Sequence, residues 1–261
     1  LKNSSAEFTL VLAQEDLLKQ PSADMYKYTI AALFFVGSWC VLFALAPKSR
    51  KPILWSSLAW GHAGPISQYW HLKDYWNPTF LVTFRIDGWM FGIEDYLFAF
   101  SFAGLCTGVF DILVRRMGAE ALSRFNFYGF MILSLLGLCC VVSMATLIPL
   151  FHINSLYAIS LAFMVCALFI LFRKPKWIAS ALLTALGIGV LMWFGYWVFI
   201  FRLFPEILSQ WWNPKALSGI SLAGVPIEEV AWAFVTALFV GPAVRYCMGS
   251  LVNRHLFRSK P

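Results

Sequence analysis

Charge is what this chain has least of. Asp, Glu, Lys and Arg make up 13% of its 261 residues, against about a quarter in a soluble domain. That scarcity excludes a disordered, self-repelling chain and a solvated globular surface. The net charge of +7 would suggest nucleic acid if the positive residues formed one soluble face. They lie instead between apolar runs, where lipid headgroups account for them, so no nucleic-acid partner is expected. The six cysteines include no C-x-x-C pair and all fall in apolar segments, which argues against a metal knuckle or disulfide framework and for packing. No phosphate-cradling glycine loop, dinucleotide fingerprint or metal-spaced His/Cys cluster occurs. No metal site and no cofactor is called for.

What the chain has is grease: 60% of residues are hydrophobic and 18% aromatic. Runs of about 20 apolar residues are long enough to cross a bilayer. They fall at about 28–47, 52–70, 89–114, 127–151, 154–173, 177–203 and 222–248. The expected fold is an all-α integral membrane protein of seven transmembrane helices. Its parts would be an N-terminal extracytoplasmic segment, 1–27, one transmembrane domain, 28–248, and a cytoplasmic tail, 249–261. The ends of spans 1, 3, 5 and 7 and the segments that follow them hold 13 of the 20 Lys and Arg residues. The positive-inside rule then puts the N-terminus outside and the C-terminus in the cytoplasm of a multi-pass cell-membrane protein.

An internal repeat runs through the chain. Arg50-Lys51-Pro52 recurs as Arg173-Lys174-Pro175, Trp76-Asn77-Pro78 as Trp212-Asn213-Pro214, and Gly92-Ile93-Glu94-Asp95 as Pro226-Ile227-Glu228-Glu229. The order is the same in both halves. This predicts two parallel three-helix repeats, spans 1–3 (about 28–114) and spans 5–7 (about 154–248), joined by span 4 at 127–151. A pseudo-two-fold axis along the membrane normal would bring the two acidic pairs face to face.

Charge inside an apolar helix is costly and therefore informative. In isolation each acidic pair fits a helix N-terminal cap, where carboxylates are favoured. A cap needs only one acid, however, and each pair is followed at i+4 by an aromatic: Phe98 after Glu94 and Trp232 after Glu228. A carboxyl group in an apolar site can hold a proton near neutral pH, and aromatic faces stabilise a cation formed beside them. Acid plus aromatic walls suits protonation of a carbon–carbon double bond, with a neighbouring carboxylate to remove the final proton.

The stretch WNPKALSGISLAGVPIEEVAWAF, Trp212 to Phe234, resembles the signature of the small-subunit type of membrane-embedded lycopene cyclase, found as heterodimers or fusions. Trp212, Asn213, Pro214, Gly219, Gly224, Pro226, Ile227, Glu228 and Glu229 carry the likeness, as do Trp76, Asn77, Pro78, Ile93, Glu94, Asp95, Leu97 and Phe98 in the first copy. The resemblance implies non-redox, proton-initiated cyclisation of the ends of a linear carotenoid, with Glu94, Asp95, Glu228 and Glu229 as catalytic groups. Phe98, Trp232, Trp76, Trp212 and His62 are the candidate substrate-binding residues, and membrane lipid and a long polyene the expected partners. The chain departs from the family pattern at Gly92, where Pro is usual, and at Val230 and Ala231, where Leu and Phe are. No Asp follows Trp60 or Trp193.

Other residues have plainer expectations. Asp111 is predicted to pair with Arg115 at i+4, and Arg85 and Asp87 to lie in a solvated loop. His62, at a kink set by Gly61, Gly64 and Pro65, is placed inside the bundle. Trp70, Trp76, Trp211 and Trp212 read as an interfacial belt. The alternatives are a proton-coupled carrier, because parallel repeats with paired acids also suit transport, and a catalytically altered relative of the cyclase family, because of the departures from its pattern. An intramembrane Glu-Glu protease is disfavoured, since only His255 follows the second pair.

Overall fold

The computed structural model describes residues 25–118 and 127–250. The expected N-terminal segment up to residue 24 and the tail from residue 251 lie outside the described residues. Among the described residues, six helices are long and apolar enough to cross a membrane. They are α1 (Met25–Leu45), α4 (Ile93–Arg116), α5 (Phe127–Phe151), α6 (Ser155–Arg173), α7 (Ile178–Gly195) and α9 (Ile227–Ser250). The stretch predicted as span 2 is two shorter helices, α2 (Arg50–Trp60) and α3 (Ala63–Asp74). They part at Gly61–His62, where the kink was expected.

The starts of spans 3 and 7 also differ from expectation. Residues before the helices fold into antiparallel hairpins, β1 (Thr83–Ile86) with β2 (Trp89–Gly92) and β3 (Ser221–Leu222) with β4 (Val225–Pro226). Each turns through two positive-φ residues, Asp87-Gly88 and Ala223-Gly224, the geometry that a tight two-residue hairpin demands. Apolar composition alone hid this change from strand to helix. Arg85 and Asp87 are exposed on the first hairpin, as expected of a solvated loop.

α4 and α9 are the most buried of the six long helices and pack side by side. α1 and α2 flank α4, α6 and α7 flank α9, and α5 lies outermost against α6. Close approach needs small residues where backbones meet. A Cβ on Gly64 would run into the Asp95 carbonyl and Ala99, so glycine there lets α3 lie against the first turn of α4. After Gly195 the chain continues as a π-helical segment, Tyr196–Arg202, and then the short α8 (Ile207–Trp211).

The two tryptophan motifs meet each other. Trp76 and Trp212 form an isolated antiparallel bridge. Asn77 N–H donates to the Trp211 carbonyl at 2.7 Å, and Asn213 N–H to the Tyr75 carbonyl at 2.9 Å. Trp76, Trp211 and Trp212 therefore do not form an outward-facing belt; all three are buried, with ring centroids 4.3–6.3 Å apart. Pairing of backbone to backbone draws these rings inside.

The matching basic loops also differ in register from the prediction. Pro47–Ser49 and Pro175–Trp177 are both single 3₁₀ turns, each entered through a residue at φ/ψ near −116/63 and −133/61. Thus Ala46-Pro47-Lys48 corresponds to Lys174-Pro175-Lys176, and Lys51-Pro52 falls one turn later. At this end Asp111 pairs with Arg245 on α9 rather than with Arg115, and also accepts from Ser49 Oγ at 2.8 Å. Arg115 turns to the Lys48 carbonyl at 3.0 Å. A desolvated carboxylate takes the cation that packing brings against it, not the nearest one in sequence.

Candidate active site

All four motif acids are buried, none more than 6% exposed. They open α4 and α9, so helix N-termini favour their negative charge. The two members of each pair have different surroundings.

Glu94 and Glu228 hold loops. Glu94 Oε1 accepts from Thr29 Oγ1 at 2.8 Å and Leu81 N–H at 2.9 Å. Glu228 Oε1 accepts from Tyr157 OH at 3.0 Å and from Ser218 N–H. In each case one hydroxyl comes from a helix, α1 or α6, and one amide from the loop before the hairpin. Asp95 and Glu229 instead face inward. Asp95 Oδ1 accepts from Tyr28 OH at 2.8 Å and Gln68 Nε2, while Oδ2 takes Gly92 N–H at 2.8 Å. Glu229 Oε1 accepts from Trp212 Nε1 at 2.8 Å, and the Tyr196 hydroxyl also bonds this carboxyl. Gly92 is explained here. A Cβ at this position would strike the Phe80 ring and Glu94 Oε2, and proline would also remove the amide that Asp95 accepts from.

Asp95 and Glu229 line a single cavity of about 280 Å³, with an otherwise largely aromatic and aliphatic wall. Phe98, Phe102 and Trp232 form part of it. Their rings are layered, with Phe98 to Phe102 at 5.4 Å, Phe102 to Trp232 at 5.2 Å and Phe98 to Trp232 at 6.0 Å, all within 22° of parallel. The volume is near the lower end of roughly 300–1,000 Å³ for small-molecule pockets.

The structure distributes the predicted residues as follows. Phe98, Trp232 and Trp76 line the cavity, while Trp212 supports it through Glu229. His62 is exposed, at the cavity rim, with its ring 5.3 Å from that of Tyr96, and so is not inside the bundle. Tyr28, Gln68, His71 and Tyr196 were not foreseen, yet all four line the cavity. Polar side chains within or beside apolar runs were their only signal. Among the described residues no group of three or more His, Cys, Asp or Glu is arranged to hold a metal.

Residues 154–247 match the family model described as Lycopene cyclase. This stretch is a lycopene cyclase family domain. It spans α6 to nearly the end of α9 and so contains Glu228, Glu229, Trp212 and Trp232. With its long apolar helices, the chain has the character of a membrane protein of carotenoid biosynthesis. No curated protein and no solved structure matches the chain.

Proposed function

We propose that this protein cyclises the end groups of a linear carotenoid such as lycopene, without redox change, using Glu229 and Asp95 as the acid–base pair. The observation that carries the proposal is their convergence, from two different helices, on one aromatic-walled cavity. Both Asp95 oxygens already accept hydrogen bonds, which suits the anionic partner, since an ionised carboxylate only accepts. Glu229 is then the proton donor. Its proton forms a C–H bond at one alkene carbon, and the electron pair of a neighbouring double bond closes the ring. Loss of a proton to Asp95 then restores a double bond. Mass is unchanged. The transient cation lies against the Phe98–Phe102–Trp232 stack, whose ring faces carry negative potential. Glu94 and Glu228 position the loops that close over the two working acids.

The same reading covers the architecture. The reciprocal Asn77 and Asn213 bonds, the paired 3₁₀ turns and the paired hairpins support a duplicated three-helix unit, with α2 and α3 together forming a bent seventh span. The N-terminus is placed outside and the C-terminus in the cytoplasm.

The test is expression in lycopene-accumulating cells, with pigment extraction, chromatography and mass analysis. The parent should yield an isomer of unchanged mass with altered absorption and retention, and Glu229→Gln should leave the linear pigment. Linear pigment alone from the parent, or equal ring formation by both, would overturn the assignment.

A further inference from the structure

Cyclisation of this kind leaves the enzyme unbalanced after each turnover. Glu229 has lost a proton and Asp95 has gained one, inside a cavity with mostly apolar walls. The net proton count is unchanged, so a proton crossing directly from Asp95 to Glu229 would reset the pair; groups that exchange protons with water provide a second route to the same end. His71 lines the same cavity, and its Nδ1 lies 2.5 Å from Ser155 Oγ. Ser155 Oγ lies 2.8 Å from Asp74 Oδ1, and Ser155 N–H donates to Asp74 Oδ2 at 2.5 Å. Ser155 is fully buried at the start of α6, whereas Asp74, the last residue of α3, is half-buried.

Ser155 has one hydroxyl proton, and the Asp74 carboxylate can only accept. The hydroxyl therefore points to Asp74, and its oxygen accepts from His71 Nδ1–H. That fixes the tautomer and leaves Nε2 as the acceptor of a ring that borders the cavity. We infer that His71, Ser155 and Asp74 form a proton relay between the cavity and the acid-bearing surface of the bundle, a proposal that rests on the cyclisation reading. When Nε2 takes a proton from the cavity, Nδ1 passes its own to Ser155 Oγ, whose hydroxyl proton moves to Asp74 and then to water. This outward stroke leaves the ring protonated at Nε2 instead of Nδ1, the return stroke restores the starting tautomer, and no electrons change hands. Run backwards, the chain reloads Glu229. The trio joins a residue pair from one helix group to the first residue of another, so the relay forms only when α3 docks on α6.

The experiment has two arms. The first is ¹⁵N NMR of histidine-labelled protein in lipid nanodiscs, with His71→Gln assigning the signal. The parent should show a neutral ring protonated at Nδ1, and Ser155→Ala should abolish that preference. A ring protonated at Nε2 in the parent would overturn the relay whatever the activity. The second arm is turnover. His71→Gln and Ser155→Ala should each lower kcat by roughly 100-fold, within the range for lost proton transfer. KM and product identity should be unchanged, and added imidazole should restore part of the rate in His71→Gln. Folded variants that turn over at the parental rate would refute the relay and leave a mere clamp between α3 and α6. A parent that forms no ring would sink the cyclisation reading, while the tautomer in the first arm would still decide the hydrogen-bond chain.

Discussion

At the residue scale, four carboxylates that look interchangeable in sequence are divided by their neighbours. Glu94 and Glu228 each accept a backbone amide and a helix hydroxyl, whereas Asp95 and Glu229 border the cavity. Mutation should separate them. Tyr157→Phe removes one of the donors to Glu228 and should cost about 0.5–1.5 kcal/mol of stability, typical of a single hydrogen bond, with ring formation retained; thermal unfolding in detergent and pigment analysis measure both. Trp232→Leu removes an aromatic face from the cation while keeping an apolar side chain there. A loss of about 0.5–2 kcal/mol of cation stabilisation should slow ring formation severalfold to about 30-fold at little cost in melting temperature. An unchanged rate would mean that the stack is a wall only. The paired acids and their following aromatics were legible because charge in an apolar run is conspicuous. Tyr28, Gln68 and Tyr196 were not, because a lone tyrosine or glutamine in a membrane helix has no periodicity or spacing to mark it.

At the scale of elements, the apolar runs foretold where the long helices lie and missed how they begin. The hairpins before α4 and α9 are apolar enough to merge with the helices that follow, and only the Asp87-Gly88 and Ala223-Gly224 turns betray them. The break between α2 and α3 was readable from glycine and proline, which unsettle a helix for backbone reasons. The contact that this break serves was not. Gly64→Ala should force α3 off α4 at the Asp95 carbonyl, an overpacking strain of about 1–3 kcal/mol. A lower melting temperature together with weakened ring formation is expected, since Gln68 and His71 ride on the same helix. Melting at the parental temperature would show that α3 has slack there.

For the whole molecule, the junction between the halves is pinned at both ends. The Trp76–Trp212 bridge holds the acid-bearing end, and the Asp111–Arg245 pair holds the other, about 25 Å away along the helices at 1.5 Å per residue. Asp111→Ala would strand Arg245, which is only 7% exposed, and should cost about 3–5 kcal/mol. The double change Asp111→Leu with Arg245→Leu should recover much of that in thermal unfolding, because it removes both charges; equal losses in the single and double variants would show that the pair does not act as a unit. By itself the sequence determined the membrane class, the place of the long helices and which carboxylates stand out, because hydropathy and misplaced charge are local properties. Only the tertiary structure decided that Asp95 and Glu229 share one cavity, that Asp111 meets Arg245 and that His71 meets Ser155. The two bonded pairs join residues 84 and 134 positions apart in the sequence, and only the packing of one helix group on another selects them.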